Sequence, residues 1–193
     1  MTRALALAAG LVAAAFPARA APDGAPAKPP EKASTNASTN ASAHASRFDR
    51  CFLLAGERYG VSPLLLKAIA RQESGLNPTA LNRNANGSTD VGLMQINSSW
   101  LPVLARHGVK EADLRVPCAN ILVGAWILGS NFRSMGRNAD ALGAYNARDP
   151  VKRLAYARQV LRHYTALHAE LHAELQVAPR AGPGTPDSVG QVR

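Results

Sequence analysis

Aromatic side chains are scarce in this chain of 193 residues, at 5% of the total, so any core must rely on Leu, Ile, Val and Ala. The 47% hydrophobic content overstates that core, because much of the alanine lies outside the stretch that looks folded. A membrane-length apolar run is missing at the N-terminus: the stretch from Ala4 to Phe16 falls short of the roughly 20 residues that cross a bilayer. Acidic residues are in the minority, 13 against 22 Lys and Arg, which leaves a formal net charge of +9. Such a surface is drawn to polyanions, among them nucleic acid, anionic lipid and an anionic cell wall, and charge alone does not choose between them. Cysteine is limited to Cys51 and Cys118, neither of them near the N-terminus, which argues against a lipid-anchored product.

What is present begins with an export signal. Arg3 supplies a positive start, the apolar stretch follows, and Ala18-Arg19-Ala20 has the small-x-small pattern of a signal peptidase site. Residues 1–20 therefore read as a signal peptide cleaved after about Ala20, and the mature protein is expected to be exported and not stably inserted in a membrane. In an oxidising compartment Cys51 and Cys118 can pair as a disulfide; two buried free thiols are the alternative. Residues 21–46 are rich in Ala, Pro, Ser, Thr and Asn and contain the tandem repeat Ser34-Thr35-Asn36-Ala37, Ser38-Thr39-Asn40-Ala41. Too little apolar surface is available there to offset the entropy of ordering, so the segment reads as a disordered linker. Residues 177–193, with their prolines and glycines, read as a disordered tail. Residues 47–176 are left as the folded domain.

Inside that domain the periodicity is helical. Phe48, Phe52, Ala55 and Tyr59 recur at helical spacing up to Gly60. Ser62-Pro63 is a cap followed by proline in the first turn, opening a helix through Leu65, Ala68 and Ile69 to a stop at Gly75. Between Asn77 and Asp90 the periodicity vanishes, and Asn82, Asn84, Asn86-Gly87 and Ser88 are turn formers that predict a short β-hairpin or an extended loop. Helix is expected again from Ser98 to His107, up to Gly108. The stretch Ile121 to Leu128 is apolar on nearly every face, as in a central buried helix. Asp140 is a candidate cap for a short helix through Tyr145, and Asp149-Pro150 opens a long amphipathic one with Leu154, Ala157, Leu161, Tyr164 and Leu171 on its apolar stripe. The expected fold class is mostly α (α+β), with one small β excursion.

Glu73 is the residue with chemistry to explain. It lies near the C-terminus of an otherwise apolar helix, where the helix dipole and partial burial both disfavour a negative charge and raise its pKa. A carboxylic acid kept protonated near neutral pH is the donor that a leaving glycosidic oxygen requires. Alone, Glu73 could be a surface glutamate. It is followed, however, by Asp90 across the predicted hairpin, by Gln95 and Asn97, whose amides both donate to and accept from sugar hydroxyls, and later by Tyr145 and Asn146. An aromatic ring and an amide suit a sugar's apolar face and its N-acetyl group, although Tyr145 could equally be a core aromatic.

Gln72-Glu73-Ser74-Gly75, then Gly87-Ser88-Thr89-Asp90-Val91-Gly92-Leu93-Met94-Gln95-Ile96-Asn97, then Ala144-Tyr145-Asn146-Ala147 resemble, in order, the motifs of the soluble lytic transglycosylase (SLT domain) family. The resemblance runs from about Phe48 to Tyr164 and is nearest to the invasion-protein-like branch associated with type III secretion and related machines. The placement of Cys51 and Cys118 is similar to that branch, which supports pairing them. The resemblance implies a lysozyme-like fold, Glu73 as the single acid/base, and Ser74, Met94, Gln95, Asn97, Tyr145 and Asn146 as substrate-binding residues. It implies cleavage of the β-1,4 bond between N-acetylmuramic acid and N-acetylglucosamine in peptidoglycan glycan strands, with attack by the muramic acid 6-hydroxyl giving a 1,6-anhydro product. It also implies a periplasmic location in a bacterium, no cofactor, and partners among the components of an envelope-spanning machine.

The stretch from Glu73 to Ser98 resembles c-type lysozyme as well, and this departs from most of the family. In c-type lysozyme a glutamate acid works with an aspartate nucleophile or charge stabiliser. Carried onto this chain the pair is Glu73 and Asp90, with a hydrolysed product as the alternative outcome and a structural turn role for Asp90 as another. A non-catalytic glycan-binding assembly factor is a further alternative, which retention of Glu73, Gln95 and Tyr145 together argues against. His168 and His172 stand four apart, at metal-ligand spacing, but within the near-repeat Leu167-His168-Ala169-Glu170-Leu171-His172-Ala173-Glu174 and without a third ligand in sequence. They read as a solvated helix face, and no metal is expected. The basic residues lack interleaved aromatics, so no nucleic-acid partner is expected either.

Overall fold

The computed structural model describes residues 48–177. The expected signal peptide, linker and all but the first residue of the expected tail lie outside the described residues. Two helices open the domain, α1 (Asp49–Tyr59) and α2 (Pro63–Ser74). Gly60 ends α1 in the left-handed region at φ 64°, the conformation that costs glycine least. The Ser62 hydroxyl accepts from the Leu65 N–H and proline opens α2, as the sequence predicts.

Three short strands follow, β1 (Leu81–Arg83), β2 (Thr89–Val91) and β3 (Ile96–Asn97), paired antiparallel in the order β1-β2-β3. The hairpin expected between Asn77 and Asp90 is there, with Asn82 opposite Asp90 and the chain reversing through Asn84–Ser88. The third strand goes beyond the expectation. At two residues it is too short to leave a period in the sequence, and its register, Asp90 opposite Asn97, comes from pairing with β2.

A 3-10 turn (Ser98–Trp100) leads into α3 (Leu101–Ala105), then α4 (Glu111–Leu114), α5 (Pro117–Met135), α6 (Ala139–Gly143) and α7 (Pro150–Val177). Helix α4 is a single charged turn too short to show a period in the sequence, and Asp113 caps it by accepting from the Lys110 N–H at 2.7 Å. The cap of α6 is not Asp140, the candidate in the sequence. Asn138 does the capping, its side chain accepting from the Ala141 N–H at 2.8 Å, and Asp140 instead pairs with Arg153 at 3.1 Å.

The central helix is α5, which packs against α1, α2, α4, α6 and β3. Phe52, Leu66, Ile69, Leu93, Ile96, Leu104, Leu114, Ile121 and Leu128 form the fully buried core around it. The disulfide between Cys51 and Cys118 ties α1 to the start of α5 across 67 residues of sequence. The packing face of α7 differs from the sequence reading. Tyr156, Ala157, Val160 and Leu167 are buried, whereas Leu154, Leu161 and Leu171 are 44–45% exposed. Two overlapping apolar stripes run along this helix, and contact with α2 and α6 selects the one that carries Tyr156.

Candidate active site

Glu73 sits in the last turn of α2, half-buried, just before the left-handed Gly75. Burial pushes its carboxyl from the ordinary 4.5 up to about 7. A hydrogen bond from Tyr156 acts in the opposite direction, and the charge of Asp90 adds to the upward shift. The Tyr156 hydroxyl donates to Oε1 of Glu73 at 2.5 Å. Its own pKa is raised far beyond the ordinary tyrosine range, by burial first and then by the charge of Glu73, so it stays a donor. Tyr156 is not among the site residues expected from the sequence. Its signal was an aromatic on the second apolar stripe of α7, and only helix packing brings it to Glu73.

Tyr145 stacks on Tyr156, with ring centroids 6.4 Å apart and planes 13° apart. Its hydroxyl donates to the Met94 carbonyl at 3.0 Å, and burial followed by the charge of Glu73 raises its pKa. Glu73, Tyr156 and Tyr145 thus form a continuous wall built from α2, α7 and the segment after α6. Removing the Tyr156 hydroxyl takes away the interaction that favours ionised Glu73. Tyr156→Phe is therefore expected to move the alkaline limb of the pH–activity profile to higher pH, with activity at pH 5–6 reduced no more than about tenfold; a pH series of turbidity-clearing rates on purified walls checks this.

Asp90, in β2, is held by a fan of amides. Asn97 donates to Oδ1 at 2.7 Å, while Asn84 and Asn82 donate to Oδ2 at 2.9 and 3.3 Å. In the sequence Asn82 and Asn84 are turn formers; pairing of β1 with β2 turns their amides onto Asp90. Asn97 also donates to the Ser88 hydroxyl and accepts from the Ser99 N–H.

The loop between β2 and β3 carries the remaining expected residues. Gln95 is held at φ 47°, a conformation uncommon for a side-chain-bearing residue, and its amide donates to the Gly92 and Ala80 carbonyls at 2.8 and 3.3 Å. Leu76, just past Glu73, is likewise left-handed at φ 67°, and strain of this kind collects around functional sites. The Ser74 hydroxyl donates to the Leu93 and Ala70 carbonyls at 2.7 and 3.2 Å, stitching the end of α2 to this loop. Met94 is the expected substrate contact that the fold places inside the core: it is fully buried, and its sulfur lies against Gly124, where an added Cβ would come within 2.6 Å of it. Asn146 is exposed beyond Tyr145.

Asn120 on α5 anchors the loop from below and was not singled out in the sequence. It is fully buried, accepts from the Met94 N–H at 2.7 Å, and donates to the Val91 and Leu114 carbonyls at 2.8 and 2.9 Å. Gly92 makes room for it, with φ 77° and a hypothetical Cβ within 2.5 Å of the Asn120 amide nitrogen. Among the described residues no group of three His, Cys, Asp or Glu side chains converges as a metal site, and no helix is long and apolar enough to cross a membrane.

A helical domain with a small three-stranded sheet, and a half-buried glutamic acid between them, is the arrangement of a lysozyme-like glycan-cleaving enzyme. The transglycosylase SLT domain family model matches residues 50–167. Invasion protein IagB of Salmonella typhi is 40% identical over 129 residues, covering 64% of this chain and 80% of that protein. Protein IpgF of Shigella flexneri is 42% identical over 125 residues, 62% of this chain and 82% of its own length. The X polypeptide of Escherichia coli strain K12 is 41% identical over 124 residues, covering 61% and 73% respectively. Among solved structures, an inactive mutant of lytic transglycosylase Slt from Pseudomonas aeruginosa superposes with a TM-score of 0.54 at 22% identity, over 66% of this chain and 25% of that longer one, a likeness of fold. The chain belongs to the transglycosylase SLT domain family and is a peptidoglycan lytic transglycosylase.

Proposed function

We propose that Glu73 protonates the glycosidic oxygen of the β-1,4 bond between N-acetylmuramic acid and N-acetylglucosamine, and that the muramic acid's own 6-hydroxyl completes the reaction. As the bond breaks, positive charge develops at C1 of the muramic acid and Glu73 becomes a carboxylate. The 6-hydroxyl then bonds to C1 and returns its proton to Glu73, so one carboxyl serves as acid and base in turn. The observation that carries this reading is the half-buried carboxyl whose pKa, at about 7, keeps a large share of it protonated at neutral pH, where an ordinary glutamate is almost fully ionised. Tyr156 holds it in place, and the amides of Gln95 and Asn146, with Asn97 and the hydroxyl of Ser74, are the groups proposed to meet the sugars or to support those that do.

One observation favours a second reading, a hydrolytic muramidase using both carboxyls. Asp90 accepts three amide N–H groups and lies near enough to Glu73 to influence its ionisation. That suits a charge stabiliser or nucleophile on the other side of the scissile bond. Mass spectrometry of the released muropeptides distinguishes the two. Glycan ends one water lighter, retained in Asp90→Asn with activity within about tenfold of wild type, support the 1,6-anhydro route. Reducing ends, with Asp90→Asn losing more than about 10²-fold, support hydrolysis and refute the single-carboxyl mechanism.

The name of one relative, invasion protein IagB of Salmonella typhi, supports a cellular role. In that role, the exported enzyme makes local openings in the wall for a secretion, conjugation or pilus apparatus. A strain carrying Glu73→Gln in place of the wild-type gene is expected to assemble that apparatus poorly; normal assembly would remove the proposed role without touching the chemistry.

A further inference from the structure

Beyond Leu167 the helix α7 continues to Val177, past the end of the family match, and residues 168–176 are exposed on every side. This stretch carries His168 and His172, one helical turn apart. Their Nε2 atoms converge to 3.2 Å, with ring centroids 4.3 Å apart and planes at 64°. His168 is also steadied from behind, stacked on the Tyr164 ring at 6.3 Å and 22°. On another face of the helix Glu170 pairs with Arg71 at 3.0 Å, which leaves the two imidazoles unobstructed and fastens this turn to α2.

Nothing in the core, the glycan-cleaving site or the disulfide uses these two rings. In the absence of a cation they can share one hydrogen bond between their ε nitrogens. The same spacing has a second use. A cation bound to two imidazoles at zinc-like bond lengths in a tetrahedral arrangement holds the nitrogens about 3.3 Å apart, close to the 3.2 Å found here. We propose that His168 and His172 form a two-point chelate for a borderline divalent cation of the zinc, nickel and copper class. Because both residues are exposed, the remaining coordination positions would be filled by water or by a donor group brought by another molecule. Because the ligands are both imidazoles, hard oxygen-seeking cations are excluded.

Isothermal titration of the exported full-length chain with Zn2+, Ni2+, Mg2+ and Ca2+ tests the site, using wild type, His168→Ala and His172→Ala. Both residues are exposed, so the variants should fold, and circular dichroism verifies that. The expected result is one Zn2+ or Ni2+ per chain in wild type, weakened about a hundredfold or more in either single variant because the second nitrogen no longer binds intramolecularly. Mg2+ and Ca2+ should give no binding. Wild-type affinity in either variant, or no Zn2+ and Ni2+ binding at millimolar concentration, overturns the proposal. So does equal binding of Mg2+.

Discussion

Glu73→Gln is expected to lose at least about 10³-fold in kcat/KM on purified peptidoglycan, since the proposed mechanism assigns both proton transfers to this one side chain. The glutamine keeps the shape and still accepts from Tyr156, so the loss would not come from misfolding. Folding stability should move the opposite way. A carboxyl whose pKa is about 7 when folded and 4.5 when unfolded binds its proton more tightly in the folded state. Its ionisation therefore costs nothing below pH 4.5, costs progressively more between 4.5 and 7, and costs the full amount above 7. Glutamine removes that cost. Thermal unfolding should show the variant more stable than wild type by about 1–3 kcal/mol at pH 8 and no different at pH 4. An inactive variant with no gain at pH 8 would mean that Glu73 is not held against its own ionisation. The wild-type enzyme, for its part, should lose activity as pH rises through about 7.

Asn120→Ala should be the most damaging substitution of a residue remote from the substrate. It strands three buried backbone groups at once, the Met94 N–H and the Val91 and Leu114 carbonyls, and opens a cavity between α5 and the loop that follows β2. Each unsatisfied group costs about 1–3 kcal/mol, partly relieved by water entering the gap, so a loss of roughly 3–5 kcal/mol is expected. For a domain of this size that is a fall of about 10–20 °C in Tm. The loop it supports carries Leu93, which receives the Ser74 hydroxyl, and Met94, which receives that of Tyr145. Activity measured well below the lowered Tm should therefore fall as well. A Tm within about 2 °C of wild type would show that another residue holds the loop.

Much of the fold could be read from local chemistry. Gly60 and Gly75 end their helices, Ser62-Pro63 starts one, and Asn86-Gly87 marks the hairpin, because caps and turns are decided by a few neighbouring residues whatever the rest of the chain does. Helix α4 and strand β3 escaped for the converse reason: elements of four and two residues are too short to show a period. In the site, Glu73 and Asp90 stood out by residue type and by the motifs around them. Their supporting groups did not. Asn82 and Asn84 looked like turn residues, Asn120 like any residue of a buried helix, and Tyr156 like one aromatic among two competing stripes.

The sequence by itself determined where α1 ends, where α2 begins and ends and where α7 begins, that a β excursion separates α2 from α5, and which carboxyl is the candidate acid. Tertiary structure decided what surrounds that carboxyl. The pKa of Glu73 depends chiefly on burial, and burial is produced by α7 closing over α2 from more than eighty positions away, as the Tyr156 to Glu73 bond records. Helix periodicity shows that α7 has an apolar face but not which of two stripes will be chosen, since that depends on the shape of the surface it meets. Glu73 is therefore legible as a glutamate at a helix end, and its pKa reaches about 7 only once the fold has partly buried it.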